Sequence, residues 1–127
     1  MEPQQIGIAI VESHERYLVG TRAVGQTLAG AAEFPGGKCE TGETPAACAA
    51  RECLEETGLT VEPLRLLERV RFDYSHASVD LHFWLCRIVK PRAEPLGGFR
   101  WVTRDELRDI APQFPAANAS VVKLLLE

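Results

Sequence analysis

Between Thr44 and Gly58 the chain carries a helix with both ends marked, and the side chains spaced along it constrain the protein more than any other segment. Thr44 can accept from the free N–H groups of a first turn, and Pro45 at the first helical position gives up no hydrogen bond. Gly58 can take the left-handed conformation that ends a helix. At about 100° per residue, Ala46, Ala47, Ala50, Cys53, Leu54 and Thr57 form one arc of roughly 120°, expected to face a core. Glu52, Glu55 and Glu56 fall on the other side. Carboxylates at i, i+3 and i+4 repel by a few tenths of a kcal/mol per pair, so a helix selected for stability alone would not favour them. Three converging carboxylates suit a hard divalent cation, above all Mg²⁺. An isolated E-x-x-E-E is usually a solvated helix face, so the flanks must decide.

The flanks read as sheet. The apolar run IGIAIV within Gln5 to Val11 suits a strand buried on both faces, and RYLVGTR (Arg16 to Arg22) suits a second strand after a turn at His14-Glu15. A Gly/Ala-rich loop covers Val24 to Ala32, Ala32 to Phe34 suits a short strand, and Pro35-Gly36-Gly37 reads as a tight turn. Pro63 to Tyr74 and Ser78 to Val89 are long strand candidates. In the second, Val79, Leu81, Phe83 and Leu85 are expected inward, and Asp80, His82 and Trp84 outward. Phe99 to Val102 is a short strand. Thr103 with Glu106 opens a short helix in capping-box fashion, and Ala116 to Leu126 forms the last one. Strands on both sides of a central helix, with helices at the end, imply an α/β protein whose mixed sheet is covered on both faces. With 127 residues, one domain over 1–127 is the expectation.

Charge narrows the partners. Eighteen acidic against 14 basic residues leave a net charge of −4 with no Lys/Arg stripe, which disfavours duplex DNA and anionic membranes. Any bound anion must be met by charge brought from elsewhere. The four cysteines (Cys39, Cys48, Cys53, Cys86) contain no C-x-x-C pair and read as free thiols of a reducing compartment. The N-terminus lacks a basic region before its short apolar run, and no stretch approaches the roughly 20 apolar residues of a membrane span, so the cytoplasm is the expected location.

The helix and its approach, GKCETGETPAACAARECLEETGL, place Gly37, Glu43, Arg51, Glu52, Glu55, Glu56 and Gly58 in the pattern G-x5-E-x7-R-E-x-x-E-E-x-G. At roughly 7% usage per residue type, seven such positions match by chance about once in 10⁸ starts. The pattern resembles the Nudix box, the signature of hydrolases acting on a nucleoside diphosphate linked to another group. Cys53 stands where the box has an aliphatic residue. The resemblance implies a Nudix-type α/β/α sandwich with a central mixed sheet. It also implies attack of water on a pyrophosphate phosphorus with Mg²⁺ as cofactor and Mn²⁺ as its substitute. It makes Glu52, Glu55 and Glu56 metal ligands together with the Gly36 carbonyl, and gives Glu43 a supporting or second-metal role. Glu52, Arg51 and Glu55 form the catalytic set, with Glu52 as general base and Arg51 holding the carboxylates through a bidentate ion pair, a role compatible with a plain surface salt bridge.

The flanking stretches Glu33-Phe34-Pro35-Gly36-Gly37-Lys38 and Phe114-Pro115-Ala116-Ala117-Asn118 are similar to the MutT branch, the 8-oxo-dGTP diphosphatases. That similarity implies a small-molecule nucleotide as partner, with neither nucleic acid nor membrane, and a monomer or homodimer. Substrate contacts are expected at Arg22, Glu33, Phe34, Gly37, Lys38, Phe83 and Asn118. Arg22 is also compatible with a surface charge at a strand edge. Asn118, an amide offering donor and acceptor together, either reads a purine edge or caps the last helix. The Phe34 backbone carbonyl would accept from the N7 proton that only the oxidised base carries. Two departures stand out. Ser75-His76-Ala77 replaces an acidic-basic pair that helps close over the base. Glu94, the nearest auxiliary metal-binding acid, is about one residue off the spacing to Trp101. His14 reads as turn, His82 as strand surface and His76 as loop. Other nucleoside diphosphate derivatives, such as ADP-ribose, a dinucleoside polyphosphate or a pyrimidine triphosphate, are the alternative substrates, and a silent nucleotide-binding module is the alternative to an enzyme.

Overall fold

The apolar run at the N-terminus forms β1 (Gln4–Ser13), the strand around which the sheet is organised. In the computed structural model, which describes residues 2–26, 28–90 and 93–127, β1 is followed by β2 (Arg16–Thr21), β3 (Ala32–Glu33) and β4 (Gly36–Lys38). Then come α1 (Pro45–Thr57), β5 (Val61–Asp73), β6 (Ser78–Ile88), β7 (Phe99–Thr103), α2 (Arg104–Ile110) and α3 (Ala119–Leu126). Residues 4–11 of β1 run parallel to β6, and residues 6–8 pair antiparallel with β4 on the opposite edge. Glu12 and Ser13 continue antiparallel to β2 through a turn at His14 and Glu15, both at positive φ. The spatial order is β3-β2-β1-β6-β5, with β4 on β1 and β7 on β2. One parallel pair among antiparallel neighbours makes the sheet mixed, as the sequence implies.

Alternation along β1 explains why its apolar run is unbroken. Ile8 and Ile10 enter a core with Phe83, Val102, Leu107, Val121 and Leu125, beneath α2 and α3. The residues between and after them supply the other face, where Ala9 and Val11 join Ala49, Cys53, Leu59 and Cys86 against α1. Both faces are buried, so no polar residue interrupts the run. Helices on both sides give the α/β/α sandwich. All four cysteines are free, with Cys48, Cys53 and Cys86 buried.

Several local expectations change. Gly36 and Gly37 are not a tight turn but two of the three residues of β4, with Gly7 opposite Gly37 and Ile8 opposite Gly36. A Cβ on Gly7 would lie 2.5 Å from the Pro45 carbonyl oxygen and 2.8 Å from Cys48 Cβ. The glycine therefore lets the start of α1 approach the sheet closely. The helix is also rotated from the expected arc. Cys48, Ala49, Cys53 and Thr57 are its buried residues, whereas Leu54 is 48% exposed and Ala47 is exposed. In β6, Asp80 and His82 are buried rather than outward. They are satisfied by Arg69, which grips Asp80 through Nε (3.0 Å) and Nη2 (2.6 Å), and by Gln5, which donates to Asp80 Oδ2 and accepts from His82 Nε2. The last helix opens as a 3₁₀ turn at Ala116–Asn118 before α3. Thr27, within the expected loop, lies outside the described residues.

Candidate active site

Local chemistry sets α1 in place. The Thr44 hydroxyl accepts from the Ala47 N–H at 3.1 Å, Pro45 occupies the first turn, and Gly58 closes the helix at φ 77° while its N–H donates to the Leu54 carbonyl. The rotation of α1 turns two of its acids toward the sheet. Glu52 and Glu56 are half-buried beside β4, where the Gly36 N–H donates to Glu56 Oε1 at 3.4 Å. A Cβ on Gly37 would lie 2.5 Å from Glu52 Cδ, so the missing side chain at Gly37 is the space that the Glu52 carboxylate occupies.

Arg51 organises the remaining acids. Its Nε and Nη2 grip Glu43 at 2.7 and 2.9 Å, and Nη1 donates to Glu52 Oε1 at 3.0 Å and Glu55 Oε2 at 2.9 Å. Nη2 also donates to the Lys38 carbonyl at 3.1 Å, tying α1 to the end of β4. The bidentate pair expected of Arg51 is therefore made to Glu43. This guanidinium, with the Glu40 N–H, holds the Glu43 carboxyl well below the usual range, at about 2. Glu56 moves the other way. Burial first, and then the adjoining Glu52 carboxylate, push it up to about 8.

Glu43, Glu52 and Glu55 thus share one guanidinium, while burial and the adjoining Glu52 carboxylate disfavour a negative charge on Glu56. That donor set fits a divalent cation, which would supply the missing charge. Among the described residues no three acids already converge as a closed cage. Mg²⁺ commonly uses one or two carboxylates together with substrate phosphates, so a preformed cage is not required.

Two cavities meet beside this cluster. The first, of about 320 Å³, has a floor of Ile6, Ile8 and Leu81, a rim of Leu28 and Tyr74, and polar groups from Arg22, Glu33 and Asn118. Phe34 also lines it and is held in place by stacking on Phe114, with ring centroids 4.7 Å apart. Asn118 sits at the N-cap of α3, yet its side chain makes no capping hydrogen bond. The second cavity, of about 310 Å³, contains Glu56, Gln26 and Gly97. Arg22, Glu33 and Gly36 line both. Arg22 Nη1 donates to Glu33 Oε1 at 3.3 Å, and burial raises the Glu33 carboxyl above its ordinary value despite that partner.

Of the residues expected in the site, Arg22, Glu33, Phe34, Gly36, Gly37 and Asn118 line the first cavity. Three do not join them. Phe83 is fully buried in the core, because its neighbour on the same face, Leu81, reaches the cavity first. Lys38 is exposed at the end of β4 and contributes its carbonyl to Arg51. Glu94 lines a separate cavity of about 330 Å³ with His14, Arg16 and Trp101, whose lining includes none of the α1 acids. The Leu28 and Tyr74 rim was not foreseen, and neither was Gly97. The Gly97-Gly98 doublet was the available signal: Gly97 has φ 66°, and a Cβ there would collide with the Glu56 carbonyl oxygen.

Known proteins resemble this chain in sequence and fold. A model of the NUDIX domain matches residues 7–124. A protein of Escherichia coli (strain K12) named 8-oxo-dGTP diphosphatase is 33% identical over 98% of both chains. A protein of the same name from Haemophilus influenzae is 38% identical over 94% of this chain and 88% of that one. A NUDIX hydrolase structure from Nitrosomonas europaea superposes with a TM-score of 0.79 at 21% identity, covering 98% of this chain and 88% of that one. The acid-bearing helix against a glycine strand, the mixed sheet between helices and a family match spanning both lead to one conclusion: this chain belongs to the Nudix family of hydrolases.

Proposed function

We propose that the protein hydrolyses 8-oxo-dGTP to 8-oxo-dGMP and pyrophosphate, with Mg²⁺ as cofactor. The carrying observation is the continuity of an apolar cavity bearing an uncommitted amide, Asn118, with a neck at Arg22 and Glu33 and a cluster of α1 acids. A purine base suits the first, since flat aromatic rings gain from apolar walls while an amide matches their donor and acceptor edge. A polyphosphate suits the second. The names carried by the Escherichia coli and Haemophilus influenzae relatives agree with this reading.

Glu52, Glu55 and Glu56 are the side chains that would hold Mg²⁺, which when bound supplies charge neutralisation and Lewis acidity at the phosphates. Glu52 serves as general base and takes the proton of the attacking water. Arg51 holds the Glu52 carboxylate by the 3.0 Å hydrogen bond and is itself anchored by Glu43. Asn118 and the Phe34 backbone orient the base, and Arg22 approaches the α-phosphate. Mg²⁺-dependent release of pyrophosphate from 8-oxo-dGTP and dGTP tests the reading. Faster turnover of the oxidised nucleotide is expected. Equal rates would remove the selectivity, and a tenfold or greater preference for ADP-ribose, a dinucleoside polyphosphate or a pyrimidine triphosphate would reassign the substrate. The expected setting is the cytoplasm; no helix among the described residues is long and apolar enough to cross a membrane.

A further inference from the structure

We propose that Cys39 and Cys48 form a disulfide when the protein meets a peroxide, and that this bridge reversibly switches the site off. Cys39 directly follows β4, and its N–H still pairs with the Gln5 carbonyl of β1 at 2.9 Å. Two residues beyond Gly37 on an extended segment, its side chain shares the face of β4 that meets α1. Cys48, in the first turn of α1, donates from Sγ to the Gly37 carbonyl at 3.2 Å. The two thiols are thereby brought into side-chain hydrogen-bonding contact. Their exposures differ as a two-step oxidation requires. Cys39 is half-buried and lines a cavity of about 630 Å³ with Gln5, Glu40, Thr41 and Ser78, which admits a small oxidant. Cys48 has no exposure and lies behind it, so the first attack falls to Cys39. Burial raises both thiols, Cys48 to about 12, and so favours the same order. Cys53 and Cys86 share the core on this side of the sheet with no exposure at all, and offer an oxidant no entry.

In the first step the Cys39 sulfur gives an electron pair to one peroxide oxygen. The O–O bond breaks, the other oxygen leaves as water, and Cys39 becomes a sulfenic acid. The Cys48 sulfur then attacks the Cys39 sulfur: the S–S bond forms, the S–O bond breaks, and the hydroxyl leaves as water with the Cys48 proton. Two thiols lose two electrons, and one hydrogen peroxide becomes two waters. The bridge acts on the site through Gly37 and Arg51. It removes the S–H that Cys48 donates to the Gly37 carbonyl, and a covalent bond draws the two sulfurs well inside van der Waals contact. Arg51 Nη2 lies 4.0 Å from Cys48 Sγ and donates to the Lys38 carbonyl, so the pull falls on the side chain that holds Glu52. Glu52 in turn fills the space beside Gly37. A displacement of about 1 Å in such a frame can lower turnover by about 10²-fold.

The test treats the wild-type enzyme with hydrogen peroxide, follows Mg²⁺-dependent pyrophosphate release from 8-oxo-dGTP, and maps disulfides by mass spectrometry. Trypsin cuts after Lys38 and Arg51, so both cysteines fall in one peptide, 39–51, which is lighter by two hydrogens when bridged. A loss of about tenfold or more is expected, in step with the yield of bridged peptide, and dithiothreitol should reverse both. Cys39→Ser should keep the basal rate within about twofold and lose its sensitivity to peroxide. Cys48→Ala should do the same, and either variant carries the test if the other fails to fold. Inactivation without the bridged peptide overturns the proposal, as does a bridge between Cys53 and Cys86 in its place. A bridge that leaves the rate unchanged overturns it too, and so does a Cys39→Ser enzyme as sensitive as the wild type. A wild type inactive on 8-oxo-dGTP before oxidation overturns the substrate reading alone, because the bridged peptide is detected without turnover and the rate is then followed on the nucleoside diphosphate derivative that the enzyme does hydrolyse.

Discussion

Arg51 shows how one side chain orders several others: it joins Glu43, Glu52 and Glu55 and reaches the Lys38 carbonyl on β4. The general base is the natural target among its partners. Glu52→Gln preserves volume and removes basicity, and single-turnover kinetics should show a loss of at least about 10²-fold in the chemical step. Turnover unchanged in that variant would move the base elsewhere. Gly37 gives a second, geometric test. A Cβ there would lie 2.7 Å from both Glu52 carboxylate oxygens, the far end of a side chain that can rotate away. Gly37→Ala should therefore cost under about 1 kcal/mol of stability by urea denaturation while kcat falls tenfold or more. Equal and large losses of both would mean that the glycine serves the sheet and not the carboxylate.

The rotation of α1 is the feature on which the site depends at the level of elements, and substitutions on the helix can measure it. Ala49 is fully buried against the sheet, whereas Ala47 is exposed. Ala49→Leu should destabilise by about 1–3 kcal/mol through overpacking, and Ala47→Leu by no more than about 0.5 kcal/mol. The arc read from the sequence included Ala47 and omitted Ala49, and so gives the opposite order. Thermal denaturation of the two variants decides between them. Periodicity failed here for a physical reason. The helix is rich in alanine, and small residues fit either side, so apolar spacing alone could not say which face docks. Gly7 and Gly37 decide it, because only over those glycines can the backbone of α1 approach and the Glu52 carboxylate find room.

Across the molecule, the second sheet face carries a polar network whose titration should be visible in stability. Burial holds the His82 imidazole below its ordinary value of 6.5, more than the Asp80 carboxylate can offset. The folded protein therefore favours neutral His82, and this contribution to stability is present above pH 6.5 and is lost as the pH falls below it. Asp80, held at about 2 by Arg69 against an ordinary 3.8, contributes above pH 3.8 and loses that contribution as the pH falls from there toward 2. Tm should accordingly decline in two stages on acidification. His82→Gln should flatten the first stage and leave the second; a first stage that survives the substitution would place the responsible group elsewhere.

How much of this was legible beforehand divides along physical lines. Helix caps, the pattern from Gly37 to Gly58, the buried β1 run and the capping box at Thr103 depend on residues close in the chain, where stereochemistry and hydrogen bonding act locally. Those features place the acids on one helix and the strands around it, and the resemblance built on them carried the family. The sequence order could not reveal which glycine faces which carboxylate, because Gly37 and Glu52 meet only through packing of α1 on β4. Nor could it show that Asp80 and His82 turn inward, since Gln5 reaches them only through the parallel pairing of β1 with β6, and Arg69 reaches Asp80 only across the β5–β6 pair. Phe83 and Glu94 looked suited to the site by type and position, but register buried the first, and the second lines another cavity. Local bonding selects the elements. Which side chains then share a cavity is set by the crossing of elements far apart in the chain, and the neck formed by Arg22 and Glu33 between base and phosphate cavities exists only after that crossing.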